Sequence, residues 1–142
     1  MLESYRIVSQ LTEQQISELT QLYKNEFWSQ NRIQQDVAKM LLASDVIIGL
    51  VDEGDRLIGF TRVLTDFVYR AIIFDVIVKP SHRKQRIGKE LLNLVVNHPK
   101  LQSVEYLSLY CLPEMVPFYE QWGFKTEVGG LNLTLMMRPS HG

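Results

Sequence analysis

The 142-residue chain contains a single cysteine, Cys111, which excludes an internal disulfide framework and a cysteine-based zinc site. Its five prolines and eight glycines are scattered rather than gathered into a linker, and no repeat divides the sequence. Residues 1–142 therefore read as one domain. There is no excess of one charge: fifteen Lys+Arg stand against sixteen Asp+Glu. A nucleic-acid binder relying on a general electrostatic footprint is normally far more basic, so no nucleic-acid partner is expected. No apolar run approaches the roughly 18 residues that a membrane-spanning helix needs. The polar start, MLESYRIVSQL, has no signal-peptide core, and the expected location is cytoplasmic. The three histidines, His82, His98 and His141, lack ligand spacing, so they read as surface residues and no metal is expected. Cys111 reads as a small buried hydrophobe, since no base is arranged to activate it.

What is present is an alternation of periodicities. Residues 4–9 form a short strand candidate, and Thr12 followed by Gln15 makes a capping-box pattern. Ile16, Leu19, Leu22, Tyr23 and Phe27 then recur at helical spacing, and a second helix covers about 33–42. Residues 46–51 and 56–64 read as strands joined by a turn at Glu53-Gly54-Asp55. RAIIFDVIV (70–78) is a third strand, 86–97 a helix, 106–110 a strand, and about 115–122 a helix stopped by Gly123. The alternating tail LNLTLMM (131–137) either closes the sheet or pairs two copies in a homodimer. Strand–helix–strand passage from 70 to 110 requires a parallel pair, so the expected class is α/β (α+β), a mixed, mostly antiparallel sheet of about seven strands with helices on both faces.

The segment with the most chemistry runs from 79 to 89. It holds five cations (Lys79, Arg83, Lys84, Arg86, Lys89) and no acid, where a strand feeds a helix. A helix N-terminus offers unpaired N–H groups and partial positive charge, which suits a phosphate. Cations in a first turn oppose the dipole and point to a ligand; the other reading is a solvated basic loop. The spacing fits neither a nucleotide-triphosphatase P-loop nor a Rossmann fingerprint. A second segment, Pro117 to Phe124, places Tyr119 early on a helix after the next parallel strand, as a ligand-facing hydroxyl or part of an aromatic core cluster.

Together, Val78-x-Pro80-x-x-Arg83-x-x-Arg86-x-Gly88 and Phe118-Tyr119-x-x-x-Gly123-Phe124 closely resemble the GNAT N-acetyltransferase superfamily. The element order matches that fold from Tyr5 to about Arg138. Arg83 and Gly88 fill the first and last places of the family's acetyl-CoA signature, Gln/Arg-x-x-Gly-x-Gly/Ala, whose central glycine is Arg86 here.

The resemblance implies that acetyl-CoA lies in a V-shaped opening between the 70–78 and 104–110 strands. It implies backbone contacts from Val76, Ile77 and Val78 to the pantetheine arm, and from Lys84, Gln85, Arg86, Ile87, Gly88 and Lys89 to the pyrophosphate, with Arg83 beside them. A backbone N–H near Val76 would face the oxyanion. Tyr119 would protonate the departing thiolate. The implied partners are acetyl-CoA and a primary amine of a small molecule or protein.

An ammonium of pKa ~10.4 is neutral only about one time in a thousand near pH 7.4, a deficit of roughly 4 kcal/mol. Asp75, which interrupts an apolar run, and Asp66, at the end of the preceding strand, are the candidates for the base, Asp75 alternatively hydrogen-bonding a neighbouring strand or Arg. Leu112 stands where some members carry a cofactor-contacting Asn, and Leu107 lies near the place of a basic Glu. Trp28, Arg32 and Asp66 are the candidate acceptor contacts, Arg32 for a substrate carboxylate or a salt bridge. The competing class is a non-catalytic acyl-CoA-binding sensor module.

Overall fold

The computed structural model describes residues 4–140, which fall into two compact units divided between Tyr110 and Cys111. The first unit carries β1 (Arg6–Val8), α1 (Glu13–Lys24), α2 (Gln34–Leu42), β2 (Val46–Val51), β3 (Leu57–Thr65), β4 (Arg70–Val78), α3 (Ile87–Val96) and β5 (Tyr106–Leu109). The second carries α4 (Val116–Glu120).

Local signals account for most of these boundaries. The Thr12 Oγ1 accepts from the Gln15 N–H at 3.2 Å while Gln15 Oε1 accepts from the Thr12 N–H at 3.0 Å, so both halves of the capping box start α1. Asp52 Oδ1 accepts from the N–H groups of Gly54 and Arg56, closing the β2–β3 turn.

The five strands order β1-β2-β3-β4-β5, antiparallel throughout except for the parallel pair β4–β5. Adjacent residues of β3 show how the helices divide. Phe60 joins Leu19, Leu22, Tyr23, Val37 and Leu41 of α1 and α2 in one buried cluster. A Cβ on Gly59, on the opposite face, would lie 2.8 Å from Ile87 Cγ2 of α3. Each fully buried Leu or Phe in these layers contributes about 1.5–3 kcal/mol.

Two features of β4 prepare the site. Its ladder with β5 ends at Ile73↔Leu109, while β4 itself runs on to Val78. Its ladder with β3 pairs Arg62 with Phe74 but Phe60 with Ile77, so Asp75 and Val76 together oppose Thr61 in a β-bulge. Asp75 adopts φ +59° there, a left-handed conformation that is strained for a residue with a Cβ.

Among the described residues the expected seven strands become five. Val128 and Leu131 form an isolated bridge across Gly129 (φ +61°) and Gly130 (φ +77°), yet no strand follows over 132–139. The turn chemistry is right for a hairpin. Alternation along LNLTLMM describes only one side of a ladder, and a strand exists only where a second edge pairs with it. Leu133, Met136 and Met137 are instead strongly exposed. No helix among the described residues is long and apolar enough to cross a membrane.

Candidate active site

The basic loop leaves β4 through a 3-10 turn, Pro80–His82, and reaches α3 at Ile87. Lys84 (φ +69°) and Arg86 (φ +66°) are both left-handed, and Arg86 is the N-cap of α3 without a side-chain cap bond. Arg86 stands where the family signature has glycine, and the dihedral gives the reason: this position favours a residue without a Cβ. Among the described residues, the backbone N–H groups of Lys84 through Lys89 donate to no protein acceptor. Ile87 is buried, so its open amide is a demand for a ligand or water rather than a frayed end. Gln85 Oε1 is likewise buried and unbonded. Alternating left-handed residues ahead of a helix turn successive amides toward one point, the arrangement of an anion-binding nest. Of the cations, Arg83 donates from Nη2 to Glu26 Oε1 at 3.2 Å, across to the loop after α1.

A second cluster forms around Asp75, whose side chain is only 6% exposed. Its Oδ2 accepts from Tyr23 Oη at 2.8 Å, Arg62 Nε at 2.8 Å and Arg32 Nη1 at 3.1 Å. Arg32 lies 4.4 Å above the Tyr23 ring and 5.5 Å from that of Trp28. Arg62 lies 5.0 Å from the Phe74 ring. In a regular strand Phe74 and Asp75 would face opposite ways. The bulge brings both to Arg62. Burial raises the Tyr23 pKa, and the Asp75 charge and hydrogen bond raise it further, so the phenol stays a donor.

Among the predicted acceptor contacts, Arg32 thus meets Asp75 directly, and Trp28 joins it through the Tyr23 and Arg32 side chains. Asp66 does not. Its Oδ1 accepts from the N–H groups of Val68 (2.8 Å), Tyr69 (2.7 Å) and Arg70 (3.1 Å), organising the β3–β4 turn. Those bonds, Val68 foremost, hold its carboxyl below the usual range. Asp66 lies four positions along the chain from Arg62, just beyond the end of β3. Val76 and Val78 are half-buried and Ile77 is a core residue, leaving their backbone as the part available to a ligand. Tyr23, Glu26 and Arg62 were not legible as site residues in the sequence. Tyr23 sits on an apolar helical stripe and Arg62 alternates in a strand, so periodicity assigns them ordinary places.

In the second unit Tyr119 sits on α4, edge-to-face with Phe118 (5.0 Å) and Phe124 (6.3 Å). Burial, with a smaller contribution from Cys111, raises its pKa. Cys111 is exposed rather than buried, in the turn that precedes Pro113–Met115. His82 also departs from expectation: it is buried, with Nδ1 2.9 Å from Ser81 Oγ. His98 accepts from the Lys100 N–H and caps the turn Pro99–Leu101, while His141 lies outside the described residues. Among the described residues no group of three or more His, Cys, Asp or Glu is arranged to hold a metal ion.

The model of the acetyltransferase (GNAT) family matches residues 13–124. An uncharacterized N-acetyltransferase, ycf52-like, of Prochlorococcus marinus is 32% identical over 127 residues, covering 87% of this chain and 70% of that protein. Histone acetyltransferase TAP1 of Glycine max is 29% identical over 90 residues, 63% of this chain and 38% of that protein. A solved structure from Xanthomonas campestris pv. campestris, assigned to the GNAT family, superposes with a TM-score of 0.83 at 23% identity over 99% of this chain and 98% of that one, a likeness of fold. The strand order, the split parallel pair, the loop before α3 and these matches agree, and the chain belongs to the GNAT family of acetyltransferases.

Proposed function

We propose that residues 1–142 act as one N-acetyltransferase domain that moves an acetyl group from acetyl-CoA to a primary amine by direct transfer, with Tyr119 as general acid. The observation that carries this reading is the run of unpaired amides from Lys84 to Lys89, opened by two left-handed residues. Six donors, two strained residues and exposed cations at Lys84 and Arg86 fit a pyrophosphate. Arg83 adds a cation once it leaves Glu26. Beyond Ile73 the β4 backbone lacks a β5 partner, so Val76, Ile77 and Val78 suit a strand-like pantetheine.

Acetyl-CoA supplies the activated acetyl group. The acceptor N–C bond forms as the thioester C–S bond breaks, and the acylated nitrogen loses one proton, which balances the one given to sulfur. Tyr119 gives the departing sulfur its proton, and its raised pKa keeps that proton available at neutral pH. An acceptor arriving as an ammonium must release one further proton to reach the reactive amine. Asp75 is the proposed base, through Oδ1, because all three of its hydrogen bonds fall on Oδ2. Trp28, Arg32 and, through Oδ2, Asp66 are the proposed acceptor contacts. The acceptor class spans small molecules and proteins, and one relative is named a histone acetyltransferase.

Titration calorimetry with acetyl-CoA, followed by thiol release across an amine panel, tests this reading. Binding with amine-dependent thiol release is expected. Absence of acetyl-CoA binding overturns it, and binding without release for any amine turns it into a sensor module.

A further inference from the structure

We infer that the acceptor carries an anionic oxygen group, a carboxylate or a phosphate, which Arg32 and Arg62 receive beside Asp75; this rests on the acetyltransferase reading above. Two guanidinium groups share one carboxylate, and among the described residues no second acid pairs with either. The cluster therefore carries one uncompensated positive charge.

That charge sits on partly buried side chains whose free nitrogens still reach solvent. The Arg62 side chain is only 12% exposed, yet beyond the Nε bond to Asp75 its Nη nitrogens meet no protein acceptor. Arg32 is 33% exposed and uses Nη1 on Asp75 Oδ2 and, at 3.9 Å, on Met40 Sδ; its Nε and Nη2 have no protein partner. A guanidinium has five donors in a planar fork, matched to carboxylate and phosphate oxygens. Donors that have no protein acceptor and still reach solvent are free to take an anion, and a bidentate, charge-assisted pair with it is favoured.

The two forks are also held still. Arg32 is stacked on Tyr23 and Trp28, Arg62 lies over Phe74, and both are tied to the same carboxylate oxygen. Fixed donors lose little entropy when a ligand arrives. Polyamines would be repelled here, and neutral alkylamines would leave the forks unpaired.

The test compares kcat/KM for paired acceptors with acetyl-CoA: ω-amino acids of increasing length against alkylamines of equal length, phosphoethanolamine against ethanolamine, and spermidine. The expected result is at least a tenfold preference for the anionic member of one series, which tells carboxylate from phosphate, with the preference lying in KM. Arg32→Gln and Arg62→Gln, each confirmed as folded by circular dichroism, are expected to reduce that preference toward unity. Arg62→Lys should restore part of it, since charge returns without the fork. Equal or better turnover of neutral amines, spermidine or a lysine peptide overturns the inference while the acetyltransferase reading stands. A preference that survives both Gln variants overturns the assignment to these arginines. Loss of acetyl-CoA affinity in the variants, matching the loss in kcat/KM, also overturns it. No turnover of any amine removes the reading and the inference together.

Discussion

Arg83 Nη2 donates to Glu26 Oε1 at 3.2 Å and so ties the basic loop before α3 to the segment between α1 and α2. A cation proposed for the pyrophosphate is thus engaged with the loop that carries Trp28 and Arg32. Arg83 is 54% exposed and Glu26 24%, so the pair is worth well under about 1 kcal/mol. Glu26→Gln is expected to tighten acetyl-CoA by about twofold to fivefold, because Arg83 no longer has to leave a carboxylate. Arg83→Ala is expected to weaken it by a similar factor. Calorimetry on both variants decides, and unchanged affinity in both removes Arg83 from the pyrophosphate site.

Arg86 sets stability against binding at one position. Its left-handed φ of +66° costs about 1 kcal/mol that glycine would not incur. Arg86→Gly is expected to raise the midpoint of thermal unfolding while lowering acetyl-CoA affinity, as a cation leaves the loop. Opposite signs in melting and binding are the signature; the same sign in both contradicts this account.

Gly59 lets the sheet pack closely against α3, the helix that follows the basic loop. A Cβ there would come within 2.8 Å of Ile87 Cγ2 and 3.4 Å of Leu91 Cδ1. Ile87 is the first residue of α3, and its branched side chain is packed in the core. Gly59→Ala is expected to destabilise by about 1–3 kcal/mol and, by displacing the start of α3, to weaken acetyl-CoA as well. Urea unfolding and calorimetry on one preparation test both effects.

If Tyr119 is the general acid proposed above, removing its hydroxyl should slow the reaction rather than end it, since a thiol of pKa near ~8.5 is already a fair leaving group. Tyr119→Phe is expected to lower kcat by roughly tenfold to a hundredfold with little change in KM. In the native enzyme the alkaline limb of kcat assigned to this phenol should lie above the ordinary tyrosine value of about 10, because burial raises it. A Phe variant with native turnover would show that another group protonates the sulfur.

Tyr23 gives a stability prediction with a defined sign. Its folded pKa is raised by burial and by Asp75, so the native state holds its proton where the unfolded chain has lost it. The contribution is complete below the unfolded value of about 10 and is lost as pH rises beyond it. Tyr23→Phe, compared with the native protein by urea unfolding at neutral and alkaline pH, is expected to show a smaller alkaline loss. An identical loss in both proteins would contradict the Tyr23–Asp75 bond.

Features encoded within a few neighbouring residues were legible in the chain alone. The Thr12–Gln15 capping box, the turn at 53–55, the basic loop running into α3 and the order of elements as far as α4 are short-range patterns, and each appears where its residues predict it. The tail shows where such patterns stop. Gly129-Gly130 makes the turn, but the alternation of 131–137 cannot supply the partner that a strand requires. Asp75 was visible only as a charge in an apolar run. Tertiary structure alone decided what meets it: Tyr23, Arg32 and Arg62 lie 52, 43 and 13 residues away and converge on one oxygen. The convergence depends on a bulge that aims the carboxylate toward α1, and a bulge is a mismatch between two strands, written in neither strand alone.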